Sequence, residues 1–255
     1  MRLANRITIA STVGILAASS AVADDWSNTL TPYLWGSAVY GTMALGTPAG
    51  PIGAGVDLSS GDVLSHLKIG GMLDYRGQND RWAVIGDVLY AHLTADGSKP
   101  IGPFTLSVEG GEKLTVAEAD FGYRPDPRFL IFAGLRYTNV SMDVTATATG
   151  PSSANPTGSA ERTQNWVDPV IGASADIPLA ERWTLRLRGD VGGFGAGAKF
   201  AWQGVGLVSW QATKMIQVVG GYRYLREEYE SGSGTDYFRY DIAMSGPAIG
   251  ASFTF

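Results

Sequence analysis

Residues 237–255 read YFRYDIAMSGPAIGASFTF, and the order of these side chains decides the fold. Ile249, Ala251, Phe253 and Phe255 fall on every second position. That is the period of a strand with one face against an apolar medium and the other turned from it. Tyr240, Ile242 and Met244 repeat the period on the opposite parity, which places a bulge near Ser245-Gly246-Pro247, where Gly and Pro tolerate a kink and a lost donor.

Working back from this strand, nine more segments carry strand-like patterning: 27–45, 66–77, 81–95, 112–124, 128–145, 161–179, 182–192, 198–211 and 214–229. The connections alternate. Gln78-Asn79-Asp80, Pro125-Asp126-Pro127, Ala180-Glu181 and Ala212-Thr213 are tight polar turns. Between them lie the long stretches 46–65, 96–111, 146–160 and 230–236, with Gly193 to Gly197 the short exception. Four turns end in a basic residue followed by a large apolar one: Arg81-Trp82, Arg128-Phe129, Arg182-Trp183 and Lys214-Met215. A cation in the headgroup layer beside a ring at the lipid boundary anchors a strand at an interface. Trp82, Phe129 and Trp183 are therefore interface anchors, joined by Trp202 and Trp210. These last two lie eight positions apart on one face, roughly 27 Å along a strand and ~20 Å once tilted.

At the other end of the chain, Arg2 and Arg6 precede a short apolar run, Ile7 to Ala18, and the small residues Ala21-Val22-Ala23. This is the pattern of a cleaved export signal over residues 1–23, leaving 24–255 as one domain. No later segment has eighteen uninterrupted apolar residues, so a helical membrane protein is excluded. Loss of Arg2 and Arg6 would leave 17 basic against 24 acidic residues, which argues against nucleic acid as a partner. With no cysteine, the chain has neither a disulfide framework nor thiol chemistry.

An export signal, alternating connection lengths and a closing strand ending on Phe255 resemble the small bacterial outer-membrane β-barrel superfamily, in its OmpA-type and porin-like group. The resemblance implies an all-β fold: a transmembrane, antiparallel, up-and-down barrel of ten strands, with eight or twelve as alternatives. It implies location in the outer membrane, with lipid and lipopolysaccharide around the barrel and the barrel-assembly machinery reading the C-terminal strand through Phe255. It implies no cofactor.

In such a barrel the polar parity faces inward. It collects Lys68, Asp74, Arg76, Asp87, Glu118, Asp120, Arg124, Arg136, Asp168, Arg186, Arg188, Asp190, Arg223, Arg239 and Asp241, eight basic and seven acidic residues. Near-equal numbers predict a cross-linked charge network that fills a narrow lumen. Two functions follow: a closed structural or surface-interaction barrel, or a narrow pore with Arg186 and Arg188 as an anion-attracting constriction.

A hydrolase or acyltransferase is the third class. It needs His66 or His92 to meet an acid, and neither sits in a recognisable motif. Asp62-Val63-Leu64-Ser65-His66 reads equally as a capped helical turn, and His92 shares the lipid-facing parity of Val88 and Tyr90. The two histidines have no metal-site spacing, and Gly192 to Gly197 does not fit a phosphate loop.

Overall fold

The structure, a computed structural model, describes residues 26–48, 50–101, 104–150 and 157–255. The expected export segment, 1–23, lies outside them. The strands are β1 (Ser27–Trp35), β2 (Ala38–Thr47), β3 (Gly50–Leu58), β4 (Leu67–Gln78), β5 (Trp82–Ile101) and β6 (Phe104–Asp126). Then come β7 (Phe129–Thr149), β8 (Thr157–Ala180), β9 (Trp183–Gly192), β10 (Phe200–Gln211), β11 (Ile216–Ser231) and β12 (Phe238–Thr254). All ladders are antiparallel. β1 pairs with both β4 and β12, so β1 and β4–β12 close a ten-stranded barrel.

β1 and β2 are one kinked wall strand, since both pair with β12. The break at Gly36-Ser37 lies hard against β12: a Cβ on Gly246 would come to 2.1 Å from the Gly36 carbonyl oxygen. Above the Tyr33–Met72 pair, the β1–β4 ladder stops. β2 turns instead into β3, which pairs only with β2 among the described residues. A short helix, α1 (Ser60–His66), touches β2, β3 and β5 across the resulting gap and buries Val63 there. The expected long connection 46–65 is thus a hairpin and a helical turn.

The other long connections are also largely strand. β5, β6, β7 and β8 run for 20, 23, 21 and 24 residues, against the ~9–11 a tilted strand needs to cross a bilayer. Their excess forms hairpins that continue the wall beyond the apolar band.

Three of the four tight turns are built by side chains that accept backbone N–H groups two or three residues on: Asn79 from Arg81 and Trp82, Asp126 from Arg128, and Thr213 from Met215 and Ile216.

The outside is apolar on nearly every wall strand. Leu73, Val88, Phe121, Ile131, Ile171, Leu187, Val218 and Ile249 each expose more than 40% of their surface. A water-soluble barrel would not present such a belt. Trp183 and Trp210 face each other across the β9–β10 ladder at 6.4 Å between rings, with Trp82 near Phe121 at the same end. At the opposite end Trp202 stacks on Tyr224 at 4.3 Å. Phe129 is also on the outer surface.

The bulge expected near Ser245-Gly246-Pro247 is absent. The β11–β12 ladder is unbroken from Ser231–Phe238 to Ile216–Phe253, and Phe238, Tyr240, Ile242, Met244, Gly246, Ala248 and Ser252 are all buried on one parity. The strand does not change face; the inside of the barrel changes chemistry.

Candidate functional site in the lumen

One in-register row of inward residues runs Thr31, Asp74, Asp87, Glu118, Arg136, Asp168 across six neighbouring strands. Side-by-side carboxylates on facing positions repel. Asp87 and Glu118 are held by arginines: Arg136 from the adjoining position on β7, and Arg188 and Arg223 from strands that reach them only across the interior. Arg188 on β9 donates to Glu118 and to Asp120 (2.9 Å) on β6, and its Nε contacts Asp190 at 3.3 Å. Arg136 donates to Glu118 at 2.7 Å and to Asp190 at 2.5 Å, and is fully buried. Arg223 on β11 donates to Asp87 at 2.9 Å, to Gln203 at 2.9 Å and to the Tyr33 hydroxyl. Gln203 closes the chain by donating to Asp190 at 3.0 Å, and Tyr33 donates to Asp87 at 2.7 Å. The result is a continuous belt from β1 and β5 to β11, β10, β9, β7 and β6.

The next inward row away from the termini is Tyr33, Met72, Leu89, Val116, Thr138, Trp166. It opens an apolar layer across the barrel. Trp166 stacks on Tyr229 at 4.1 Å and lies 5.6 Å from the Tyr240 ring. Val116, Val140, Leu225, Phe238 and Ile242 expose nothing. Glu227, on β11, crosses this layer to accept from Thr138 at 3.0 Å.

On the terminal side of the belt, Asp176 accepts from Arg186 at 2.6 Å and Arg76 at 3.3 Å. Beside this cluster lies a cavity of about 100 Å³ that reaches from Thr31, Asp74 and Arg76 to Val205, Leu207 and Val219.

Several expected members of the charge network lie elsewhere. Arg239 and Asp241 are on the outward parity of β12 and pair with each other at 3.2 Å, Asp241 also with the exposed Arg226. Lys68 is exposed at the register shift between Leu67 and Ile69. Arg124 braces two turns, donating to the carbonyls of Asn79 and Pro127. Asp168 is buried but accepts from the backbone N–H of Ala198 at 2.6 Å, so the Gly193–Gly197 turn folds onto it. Gly193 and Gly195 there have φ of 88° and 79°, which only glycine adopts without strain. Asp74 makes no hydrogen bond or ion pair to another described residue. The sequence reading missed Asp176, Gln203, Glu227 and Tyr33. The first three share the parity of inward residues on their own strands, so alternation alone would have found them.

The histidines do not meet an acid. His66 Nδ1 lies 2.7 Å from the main-chain oxygen of Asp62 and 3.1 Å from Ser65 Oγ. Ser59 caps α1 and donates to the Asp62 carboxylate from both its hydroxyl and its N–H. Those bonds hold that carboxyl below its ordinary pKa. His92 is on the outward parity of β5, with no hydrogen bond to another described residue.

With this geometry in place, the architecture can be matched to solved structures. The outer membrane protease OmpT of Escherichia coli superimposes with a TM-score of 0.54 over 91% of this chain and 97% of that one, at 8% identity. Ail of Yersinia pestis aligns over 91% and 99% with a TM-score of 0.37 and 10% identity. The translocator domain of the Neisseria meningitidis autotransporter NalP aligns over 90% and 88%, at 0.39 and 13%. No family model and no curated protein matches the sequence. At 8% identity the likeness to OmpT is one of fold: this chain has the closed β-barrel architecture of that outer-membrane protein.

Proposed function

We propose that the protein is a closed barrel whose lumen serves stability and whose work is done on its outer surface, as a structural or surface-interaction protein. The observation that carries this reading is the double closure of the interior: a charge belt of cross-strand pairs, then an apolar layer with fully buried rings and aliphatics. A solute crossing the barrel would have to part both. The long hairpins of β5–β8 give the outer surface its extent. In this reading residues 1–23 direct export, the assembly machinery engages the strand that ends at Phe255, and lipid and lipopolysaccharide surround the belt. No catalytic role is assigned, in keeping with the local bonds that occupy Asp62, Ser65 and His66.

The test is single-channel conductance of refolded protein in a planar bilayer, with folding checked by heat-dependent gel mobility. Folded protein should be silent. Discrete steps would establish the narrow pore instead.

A further inference from the structure

The cavity beneath the belt has three properties that together specify a ligand. One wall is apolar, built by Val205 and Leu207 on β10, Val219 on β11 and Ala248 on β12. The facing side carries a cationic pair that shares a single carboxylate. Arg76 and Arg186 both donate to Asp176, and Arg76 donates also to Ser174 at 3.2 Å, while Arg76 Nε is buried without a partner. Arg186 keeps 40% of its side chain exposed, and none of its bonds uses Nη1. Finally, Asp74 lines the same space with a carboxylate that makes no hydrogen bond to another described residue and feels the charges of Arg186, Arg188 and Arg76 only at a distance.

A simple anion would satisfy the arginines and repel Asp74; a simple cation would do the reverse. A zwitterion with an apolar body satisfies both and covers the hydrophobic wall. We propose that this chamber binds a small α-amino acid with an aliphatic side chain. Its carboxylate faces Arg76 and Arg186, its ammonium faces Asp74, and its side chain lies on Val205, Leu207 and Val219. The size agrees. The chamber offers about 100 Å³, and a water-sized group takes roughly 10–15 Å³ by the same measure, which leaves room for on the order of 7–10 non-hydrogen atoms. Leucine is within that range.

The experiment is calorimetric titration of the purified, folded protein in detergent micelles with three probes of one shape: leucine, 4-methylpentanoate, which lacks the ammonium, and 3-methylbutylamine, which lacks the carboxylate. Leucine should give saturable heat, and each of the other two should bind at least tenfold more weakly. Asp74→Asn, isosteric at a residue with no native bond, should fold normally and lose the preference for leucine over 4-methylpentanoate. Arg186→Gln should weaken leucine at least tenfold. No heat from any probe, or equal binding of 4-methylpentanoate to the unaltered protein, would overturn the assignment. Failure here and failure of the closed-lumen reading are separable: a silent barrel with no leucine heat removes only the site. A conducting barrel that still discriminates the three probes removes only the closure.

Discussion

Asp87 and Glu118 stand directly opposite each other in the β5–β6 ladder, and neither is neutralised by its own neighbour on that ladder. Asp87 is held by Arg223 at 2.9 Å from β11, and Glu118 by Arg136 at 2.7 Å from β7 and by Arg188 from β9. The two carboxylates thus clamp several strands to one another through the interior. Taking charges out of water costs several kcal/mol per ion unless each finds a partner, so the network stabilises only as a complete set.

Arg223→Met should therefore lower stability by about 3–5 kcal/mol, because the buried Asp87 loses its counter-charge. The double variant Asp87→Asn with Arg223→Met should recover part of that loss. Urea unfolding of protein refolded into lipid vesicles, followed by tryptophan fluorescence, gives both values. A double variant no better than the single one would show that the pair is not coupled.

Two arginines that look equivalent in sequence should behave differently. Arg188 is 12% exposed and contacts three carboxylates, whereas Arg186 is 40% exposed and binds Asp176 alone. Arg188→Ala should cost about 3–5 kcal/mol by the logic of a broken buried network. Arg186→Ala should cost about 1 kcal/mol or less, as partly solvated pairs do. The same unfolding assay ranks them, and neither variant should open a conductance.

The Trp166–Tyr229 stack supplies a third expectation. Trp166→Ala should lose about 3–5 kcal/mol and much of the near-ultraviolet dichroism of the folded state. Trp166→Phe should cost less than Trp166→Ala, because a ring remains to stack on Tyr229.

A change at Phe255 tests assembly apart from stability. Its backbone pairs with Asn28 at 2.9 and 3.1 Å, but the residue is 68% exposed on the outer surface. Phe255→Ala should change the unfolding free energy of the refolded protein by less than about 1 kcal/mol, while the yield of folded barrel in cells falls several-fold. Equal yields would mean that the ring carries no assembly signal.

How much of this was legible in the sequence depended on whether one parity had a single environment. Along β9 it did: Trp183, Leu185 and Leu187 face out while Arg186, Arg188 and Asp190 face in, and alternation predicted both faces. Along β12 it did not. Tyr240, Ile242 and Met244 have the composition of a lipid-facing row, and a strand pattern cannot distinguish lipid from an apolar interior. The bulge proposed to reconcile them followed from that ambiguity, and so did the inward placement of Arg239 and Asp241. The apolar layer around Trp166 was invisible for the same reason. The partners of each charge were also beyond reach, because Glu118 and Arg188 are joined across the barrel, 70 positions apart in the chain. Strand number was legible, since the tight turns mark one rim, and so was the capped turn of α1; β3 was not, because the glycines between Ile52, Ala54 and Val56 read as loop despite the alternation.

The wall is unequal around its circumference. The β5–β6 ladder joins twenty residue pairs, and the β1–β4 ladder seven before the strands part beneath α1. A ring with one short joint fails there first, so breathing of the barrel should be concentrated on a single side. Leu67–Met72 and the capped turn above them should then trade amide hydrogens with solvent sooner than β6 and β7. The barrel is built as a clasp, with long ladders from β5 to β8 and one short joint between β1 and β4.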